Sequence, residues 1–134
     1  MKRAVYVSTC LERRPDAQRL AGLLRAAGYE VTSRWIDDPG ATRDAERVLT
    51  TADAYAIHDL NTHGILMADV FVCIADKRGR GTLHEIGYAD ALGRSQRLDR
   101  VLVGNWRDLG PMCSVWDLTC EDLDGVVPAL AGMT

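Results

Sequence analysis

A glutamate near the start of an apolar segment could serve either the structure or a substrate. Thr82 and Glu85 have the spacing of a helix capping box, in which each residue bonds to the backbone amide of the other. Residues 86–92 are apolar nearly all round, so Glu85 is expected in the first turn of a buried helix. The helix dipole favours an ionised carboxylate there, whereas burial favours the protonated form. Because attack on a sugar carbon requires an ionised but poorly hydrated carboxylate, a structural and a catalytic interpretation both stay open.

The surrounding pattern predicts a sheet that would bring two loops together. Short apolar runs lie at 4–8, 30–36, 70–74 and 100–103 and, more weakly, near 113–116, and they alternate with helical periods at about 16–27, 41–60, 82–92 and 121–131. This alternation is typical of an α/β fold, here a five-stranded parallel flavodoxin- or Rossmann-like sheet of order 2-1-3-4-5 with helices on both faces. Ligands bind such sheets beyond the carboxyl ends of the strands, where the order switches. The chemistry is therefore expected in loops 8–15 and 76–82.

Size and charge exclude several classes of protein. The length of 134 residues suits a single domain, 1–134. The net charge is −3, and no Lys or Arg follows Asp108, which argues against a protein that coats a nucleic-acid polymer. The most apolar stretch, 65–75, is about half as long as a membrane-spanning helix. With no secretory signal pattern, no CxxC pair and no metal-ligand pattern, we expect a cytoplasmic protein without a bound metal.

A resemblance to a known family is carried mainly by residues 81–93. This segment reads Gly81-Thr82-Leu83-His84-Glu85-Ile86-Gly87-Tyr88-Ala89-Asp90-Ala91-Leu92-Gly93. It closely resembles the signature of the nucleoside 2-deoxyribosyltransferase-like family, which includes nucleotide N-hydrolases. Shorter matches extend the resemblance over about residues 3–104, at Val5-Tyr6-Val7, Ala68-Asp69-Val70 and Val101-Leu102-Val103-Gly104.

The resemblance implies an enzyme that works through a covalent intermediate. Glu85 would attack the anomeric carbon of a nucleoside, expel the base and form a glycosyl-enzyme, which water or a second base then resolves. Tyr6 would orient this nucleophile. The resemblance further implies a small nucleoside or nucleotide as substrate, no cofactor, and a homodimer or higher homo-oligomer.

The family also has an acid near the end of the second helix that helps the base to depart, and two positions compete for it. The family's usual spacing, counted back from Ala68-Asp69, selects Asn61, whose side chain is neutral. The local pattern Ala-x-x-Asp-Leu selects Asp59 instead. We prefer Asp59, because it lies one turn after Tyr55 on the predicted apolar stripe, although a solvated carboxylate at the helix end is the alternative.

Polar, cationic and aromatic residues near the two loops predict substrate contacts. Arg13, Arg14 and Arg80 could hold a 5′-phosphate, as the nucleotide hydrolases of the family do with their own loops, or could be solvated surface charges. Trp35 could stack on a base, and Asn105 stands where the family often supplies residues to a neighbouring subunit. The predicted substrate-binding residues are Ser8, Thr9, Arg13, Arg14, Trp35, Asn61, Arg80, Gly81, Thr82 and Asn105.

The predicted function is cleavage of the N-glycosidic bond of a (deoxy)nucleoside or its 5′-monophosphate through a glycosyl-Glu85 intermediate. The arginines favour hydrolysis of a nucleotide slightly over transfer to a base. One alternative is a glycohydrolase of NAD or a signalling nucleotide that uses the same glutamate. Another is a non-catalytic nucleotide-binding module, which the neutral Asn61 would suit. His84 is predicted to face away from the site at helical spacing.

Overall fold

Five parallel strands form one sheet in the part of the chain that the computed structural model describes, residues 3–37 and 50–133. The strands are β1 (Ala4–Ser8), β2 (Glu30–Val31), β3 (Val70–Ile74), β4 (Asp99–Val103) and β5 (Leu118–Cys120). The helices are α1 (Arg14–Ala26), α2 (Thr51–Leu66), α3 (Arg80–Ser95) and α4 (Val126–Ala131). The strand order is β2-β1-β3-β4-β5 and every pairing is parallel, which confirms the predicted α/β fold class.

The handedness of the crossovers explains where the helices lie. The step from β1 to β2 runs along the sheet in the opposite direction to the steps from β2 to β3 and from β3 to β4. Right-handed crossovers therefore place α1 on one face of the sheet and α2 and α3 on the other. Accordingly, α2 contacts α3, whereas α1 and α4 both contact the 3-10 turn Leu123–Gly125. The change of direction leaves a crevice at the carboxyl ends of β1 and β3.

The two central strands are buried on both faces. All residues of β3 are buried, as are those of β1 after Ala4, which fits their nearly continuous apolar sequences. Tyr6 and Phe71 stack in this core, with ring centroids 5.9 Å apart and ring planes 5° from parallel. Burying an aromatic side chain of this size stabilises the fold by about 1.5–3 kcal/mol. The residues that follow β1 and β3 therefore stand on a rigid support.

Two predicted strands differ from the structure. The predicted strand 30–36 pairs only over Glu30–Val31, because β2 is an edge strand and the chain then forms a 3-10 turn at Arg34–Ile36. Trp35 and Ile36 in this turn are buried, so apolar residues recur here because the turn packs on the core and not because the chain is an extended strand. The strand predicted near 113–116 lies instead at Leu118–Cys120.

The helix boundaries also differ from those predicted. The predicted helix 41–60 falls partly outside the described residues, and α2 begins at Thr51, where Thr50 accepts a hydrogen bond from an amide of the first turn. The described residues of its predicted apolar stripe, Ala52, Tyr55 and Ala56, are exposed, Tyr55 to 68%. α3 starts before Thr82 and continues past Gly93, which was expected to end it. None of the described helices has the length and apolar character needed to cross a membrane.

Gly64 allows α2 to approach β1 closely. A Cβ atom at this position would lie 2.7 Å from the Thr32 carbonyl oxygen and 3.0 Å from the Tyr6 ring. We expect Gly64→Ala to lower the free energy of unfolding by about 1–3 kcal/mol, because a backbone oxygen and a buried ring must both move. The matched control is Gly22→Ala in α1, where nothing lies within 4 Å of the added Cβ. There we expect stabilisation by about 0.5–1 kcal/mol. Urea unfolding measures both, and equal effects would contradict the close approach.

Candidate active site

The Glu85 carboxylate lies at the carboxyl end of β1, held by two hydroxyl groups. Its Oε2 accepts a hydrogen bond from the Tyr6 hydroxyl, and its Oε1 accepts one from the Ser8 hydroxyl at 2.7 Å. Both donors are fully buried, whereas Glu85 is partly buried. α3 follows β3, and β3 pairs with β1, so the strand order brings residue 85 to this position. Ser8, predicted to bind substrate, donates its hydroxyl hydrogen to the carboxylate instead.

The structure does not contain the predicted capping box. α3 begins at Arg80 with Gly79 as its N-cap residue, so Thr82 lies inside the helix. The Thr82 hydroxyl is buried and has no hydrogen-bond partner among the described residues. A Cβ atom on Gly79 would lie 2.5 Å from that hydroxyl oxygen, so only glycine fits this approach. The Glu85 side chain therefore plays no part in capping its own helix.

Burial shifts the protonation of both partners in this contact. It raises the pKa of Glu85 to about 6, although the hydrogen bonds from Tyr6 and Ser8 act in the opposite direction. Burial, followed by the charge of Glu85, raises the pKa of Tyr6 above its usual range. At neutral pH the phenol is thus a donor, and the carboxylate is ionised but poorly hydrated. This combination suits a nucleophile.

The raised pKa of Glu85 makes a prediction about stability. An unfolded glutamate loses its proton near pH 4.5 and the folded one near pH 6, so stability from this group falls as the pH rises between these values. The total loss is of the order of 2 kcal/mol. Glutamine does not ionise, so Glu85→Gln does not lose this stability. We expect the free energy of unfolding of the variant minus that of wild type to increase by about 2 kcal/mol from pH 4 to pH 7.5. Urea unfolding at both pH values measures this, and a constant difference would contradict the raised pKa.

A cavity of about 610 Å³ opens in front of the carboxylate, within the range of about 300–1,000 Å³ that is usual for small-molecule sites. Its wall is formed by the loop after β1, the turn after β2, one face of α2 and the start of α3. The predicted site residues on this wall are Thr9, Trp35, Asn61, Arg80, Gly81, Thr82 and Glu85. The described residues contain no group of three or more His, Cys, Asp and Glu side chains that could hold a metal ion.

One face of α2 lines the cavity, and it corrects the preference for Asp59. The lining residues recur at intervals of three and four positions, namely Ala54, Ile57, His58, Asn61 and Thr62. Asp59 lies beside this face, its side chain is 81% exposed, and its Oδ1 is 3.3 Å from Nδ1 of His58. Asn61 therefore reaches the cavity and Asp59 does not. The phase of the helix decides this, and the local resemblance around Asp59 did not carry that information.

Of the three predicted phosphate-binding arginines, only Arg80 lies at the cavity. Arg13 forms an ion pair with Asp16 at 2.8 Å, and Arg14 donates to the Ile36 carbonyl at 2.7 Å. Arg13 also donates to the Ala75 carbonyl at 3.0 Å, so both arginines hold the start of α1 against neighbouring segments. Neither lines the cavity, and the prediction for Arg13 and Arg14 is wrong as to position. Arg80 is exposed on the cavity wall and has no hydrogen bond or ion pair to another described residue.

Three other predicted contacts have partners within the protein. The Thr9 hydroxyl donates to the Ile74 carbonyl at 2.9 Å, which ties β1 to the end of β3. The Trp35 indole donates to the Val7 carbonyl at 3.0 Å, while the residue still lines the cavity. Asn105 does not line the cavity; its side chain caps the following 3-10 turn. The expectation that Asn105 contacts substrate is therefore not supported within this chain.

Two histidines at the cavity were not predicted there. His84, expected to face away, lines the cavity together with His58, and their ring centroids are 5.5 Å apart with the planes tilted by 47°. The three-residue interval to Asn61 could have identified His58. The spacing of Thr82 and Glu85 predicted that the helix begins at Thr82, whereas α3 begins at Arg80. The first turn of α3 therefore lies differently from the prediction, and His84 faces the cavity.

Comparison with known proteins bears on the fold. The sheet order and a site at the switch between β1 and β3 define a doubly wound α/β protein. Among solved structures the chain is similar to the CMP N-glycosidase BcmB of Clostridium botulinum, with a TM-score of 0.55 and 16% sequence identity over 98% of this chain and 99% of that one. No protein-family model and no curated protein sequence matches the chain. At this identity the likeness establishes a shared fold.

Proposed function

We propose that the chain, as one domain of residues 1–134, cleaves the N-glycosidic bond of a nucleoside 5′-monophosphate with Glu85 as the nucleophile. One observation carries the proposal: a partly buried carboxylate, held by the hydroxyls of Tyr6 and Ser8, stands at a cavity large enough for a nucleotide. Such a carboxylate can attack an anomeric carbon that has oxocarbenium character. The activity named for the structural neighbour, cleavage of CMP, is of the same class.

The proposed reaction has two halves. In the first, an oxygen of Glu85 forms a bond to C1′ while the bond from C1′ to the base breaks, and the base leaves with the bonding electrons and takes up a proton. A glycosyl ester of Glu85 remains. In the second half, water attacks C1′, the ester bond breaks, and the free sugar phosphate and the carboxylate are formed. The two hydroxyls from β1 keep the carboxylate oriented in both halves.

The cations at the cavity support a monophosphate substrate and hydrolysis. Arg78 and Arg80 line the wall, and Arg80 lies in the first turn of α3, where the helix dipole also favours an anion. The loop that carries them offers no free carboxylate for contact with an incoming base, since both Asp76 oxygens bond to Arg78. Transfer to a second base thus lacks an acidic contact in this loop.

Base release is the experiment that tests the proposal. The purified protein is incubated with nucleoside 5′-monophosphates, with the matching nucleosides and with NAD, each with and without an acceptor base, and products are separated by chromatography. Free base from a monophosphate without acceptor supports the proposal. Product only with acceptor would make the protein a transferase. Nicotinamide released only from NAD would change the substrate class, and binding without base release would favour a non-catalytic module.

Arg80→Gln is expected to raise KM for the monophosphate about tenfold and to leave KM for the nucleoside unchanged, because one charged contact to phosphate contributes roughly 1.5 kcal/mol. Lys77→Gln is the matched control. It removes a charge from the same loop at a side chain that is 79% exposed and does not line the cavity. Steady-state kinetics on both substrates measures the split. An equal change in KM for nucleoside and monophosphate would show that Arg80 does not contact the phosphate.

A further inference from the structure

The proposed reaction needs a proton for the departing base, and few side chains on the cavity wall can supply it. Besides the nucleophile, the described residues of the wall include four groups that could donate a proton, namely Glu12, His58, His84 and the thiol of Cys10, whose pKa burial raises. The two arginines hold their protons too tightly to act as acids. Glu12, in the 3-10 turn after β1, is exposed, as both histidines are, but a carboxyl group is ordinarily a carboxylate near neutral pH and then only accepts hydrogen bonds. The histidines remain, and imidazole is the side chain whose ordinary pKa lies closest to neutral.

His58 differs from His84 in having a carboxylate partner. The Nδ1 atom of His58 lies 3.3 Å from Oδ1 of Asp59, and a carboxylate at neutral pH can only accept a hydrogen bond. With Nδ1 donating to Asp59, Nε2 is the ring atom left free to face a substrate. The His84 side chain makes no hydrogen bond to another described residue. Within residues 3–37 and 50–133, the ionisable groups in contact with the His58 ring are Asp59 on its own helix and His84 on α3.

We propose that His58 is the general acid that protonates the departing base and that Asp59 is its positioning residue, an inference that rests on the proposed glycosidase function. As the bond from C1′ to the base breaks, the Nε2–H bond of the imidazolium breaks as well, and the proton passes to a ring nitrogen or carbonyl oxygen of the base. In the second half, neutral His58 takes a proton from the attacking water and returns to its starting state. The prediction for Asp59 is thereby replaced by an indirect role.

A leaving group that needs no proton tests this role. The base of 7-methyl-dGMP is already cationic and departs as neutral 7-methylguanine, whereas the base of dGMP must be protonated. We expect His58→Gln to lower the single-turnover rate of base release, which reports the first half alone, at least about tenfold for dGMP and less than about threefold for 7-methyl-dGMP. Asp59→Asn should show the same dependence on the leaving group, more weakly. If only pyrimidine nucleotides are cleaved, dUMP and 5-fluoro-dUMP, whose base is the better leaving group, form the matched pair.

His84→Gln is the control variant, because it removes the facing imidazole but not the one that contacts Asp59. Its effect is expected to be equal on both substrates of the pair. The proposal would be overturned if His58→Gln and a second variant, His58→Asn, lost the same fraction of activity on both substrates, or if both kept full activity. It would also be overturned if only His84→Gln showed a dependence on the leaving group. Failure of the underlying function is distinguishable, since wild type would then release no base from either substrate.

Discussion

Glu85→Gln is expected to slow base release at least about 10³-fold, which corresponds to roughly 4 kcal/mol of transition-state stabilisation. An amide oxygen of glutamine is too poor a nucleophile to form the glycosyl ester. The variant nevertheless keeps the shape of the side chain and an acceptor oxygen for one of the two hydroxyls of Tyr6 and Ser8, and its amide N–H can donate to the oxygen of the other. The loss should therefore be in kcat, with nucleotide binding retained. Single-turnover kinetics and a binding titration with the same monophosphate measure the two quantities separately.

Glu30→Gln is the matched control for this experiment. Glu30 is exposed and pairs with Ala4 at the amino end of the sheet, away from the cavity. We expect its activity to equal that of wild type. Wild-type protein quenched during turnover of a 2′-fluoro-arabinosyl nucleotide, which slows both halves, should carry the sugar on a peptide that contains Glu85. An adduct on another residue, or retained activity of Glu85→Gln, would contradict a nucleophilic role for this side chain.

The fold was predictable from hydrophobic periodicity, and its errors have physical causes. The apolar runs 4–8 and 70–74 are central strands buried on both faces, so pattern and structure agree there to the residue. The edge strands β2 and β5 pair on one side only, and their lengths depend on how many residues reach the neighbouring strand. Alternation in 30–36 therefore could not distinguish two paired residues followed by a buried turn from a long strand.

The pairing of Tyr6 with Glu85 was implied by the family resemblance, and the strand order explains it. The two side chains meet because α3 follows β3 and β3 neighbours β1. Asn61 and His58 reach the cavity through the phase of α2, which a shift of one or two residues in an alignment reverses. The partners of Arg14 are set by tertiary contacts such as that with the Ile36 carbonyl, and a sequence pattern carries no information on those.

Tyr6→Phe is expected to lower kcat about 10²-fold at pH 7, because it removes one of the two donors that fix the carboxylate of Glu85. Phenylalanine keeps the stack on Phe71, so the fold should remain. The Tyr6 hydrogen bond lowers the pKa of Glu85, and its loss should raise that pKa above 6. The reaction requires the ionised carboxylate. The acidic limb of the pH–rate profile should therefore move to higher pH, and the deficit of the variant should be larger at pH 6 than at pH 8.

Two comparisons separate this role of Tyr6 from simple packing. Ser8→Ala removes the other donor to Glu85 and should move the acidic limb in the same direction, because that hydrogen bond also lowers the pKa of the carboxyl. Tyr88→Phe removes a hydroxyl from a half-buried residue of α3 that does not line the cavity, and it should leave the pH–rate profile unchanged. If the deficit of Tyr6→Phe were the same at every pH, the hydroxyl would not act through the ionisation of Glu85. In that case the Tyr6 hydroxyl would not orient the Glu85 carboxylate through a charge-assisted hydrogen bond, because such a bond necessarily alters the affinity of the carboxylate for a proton.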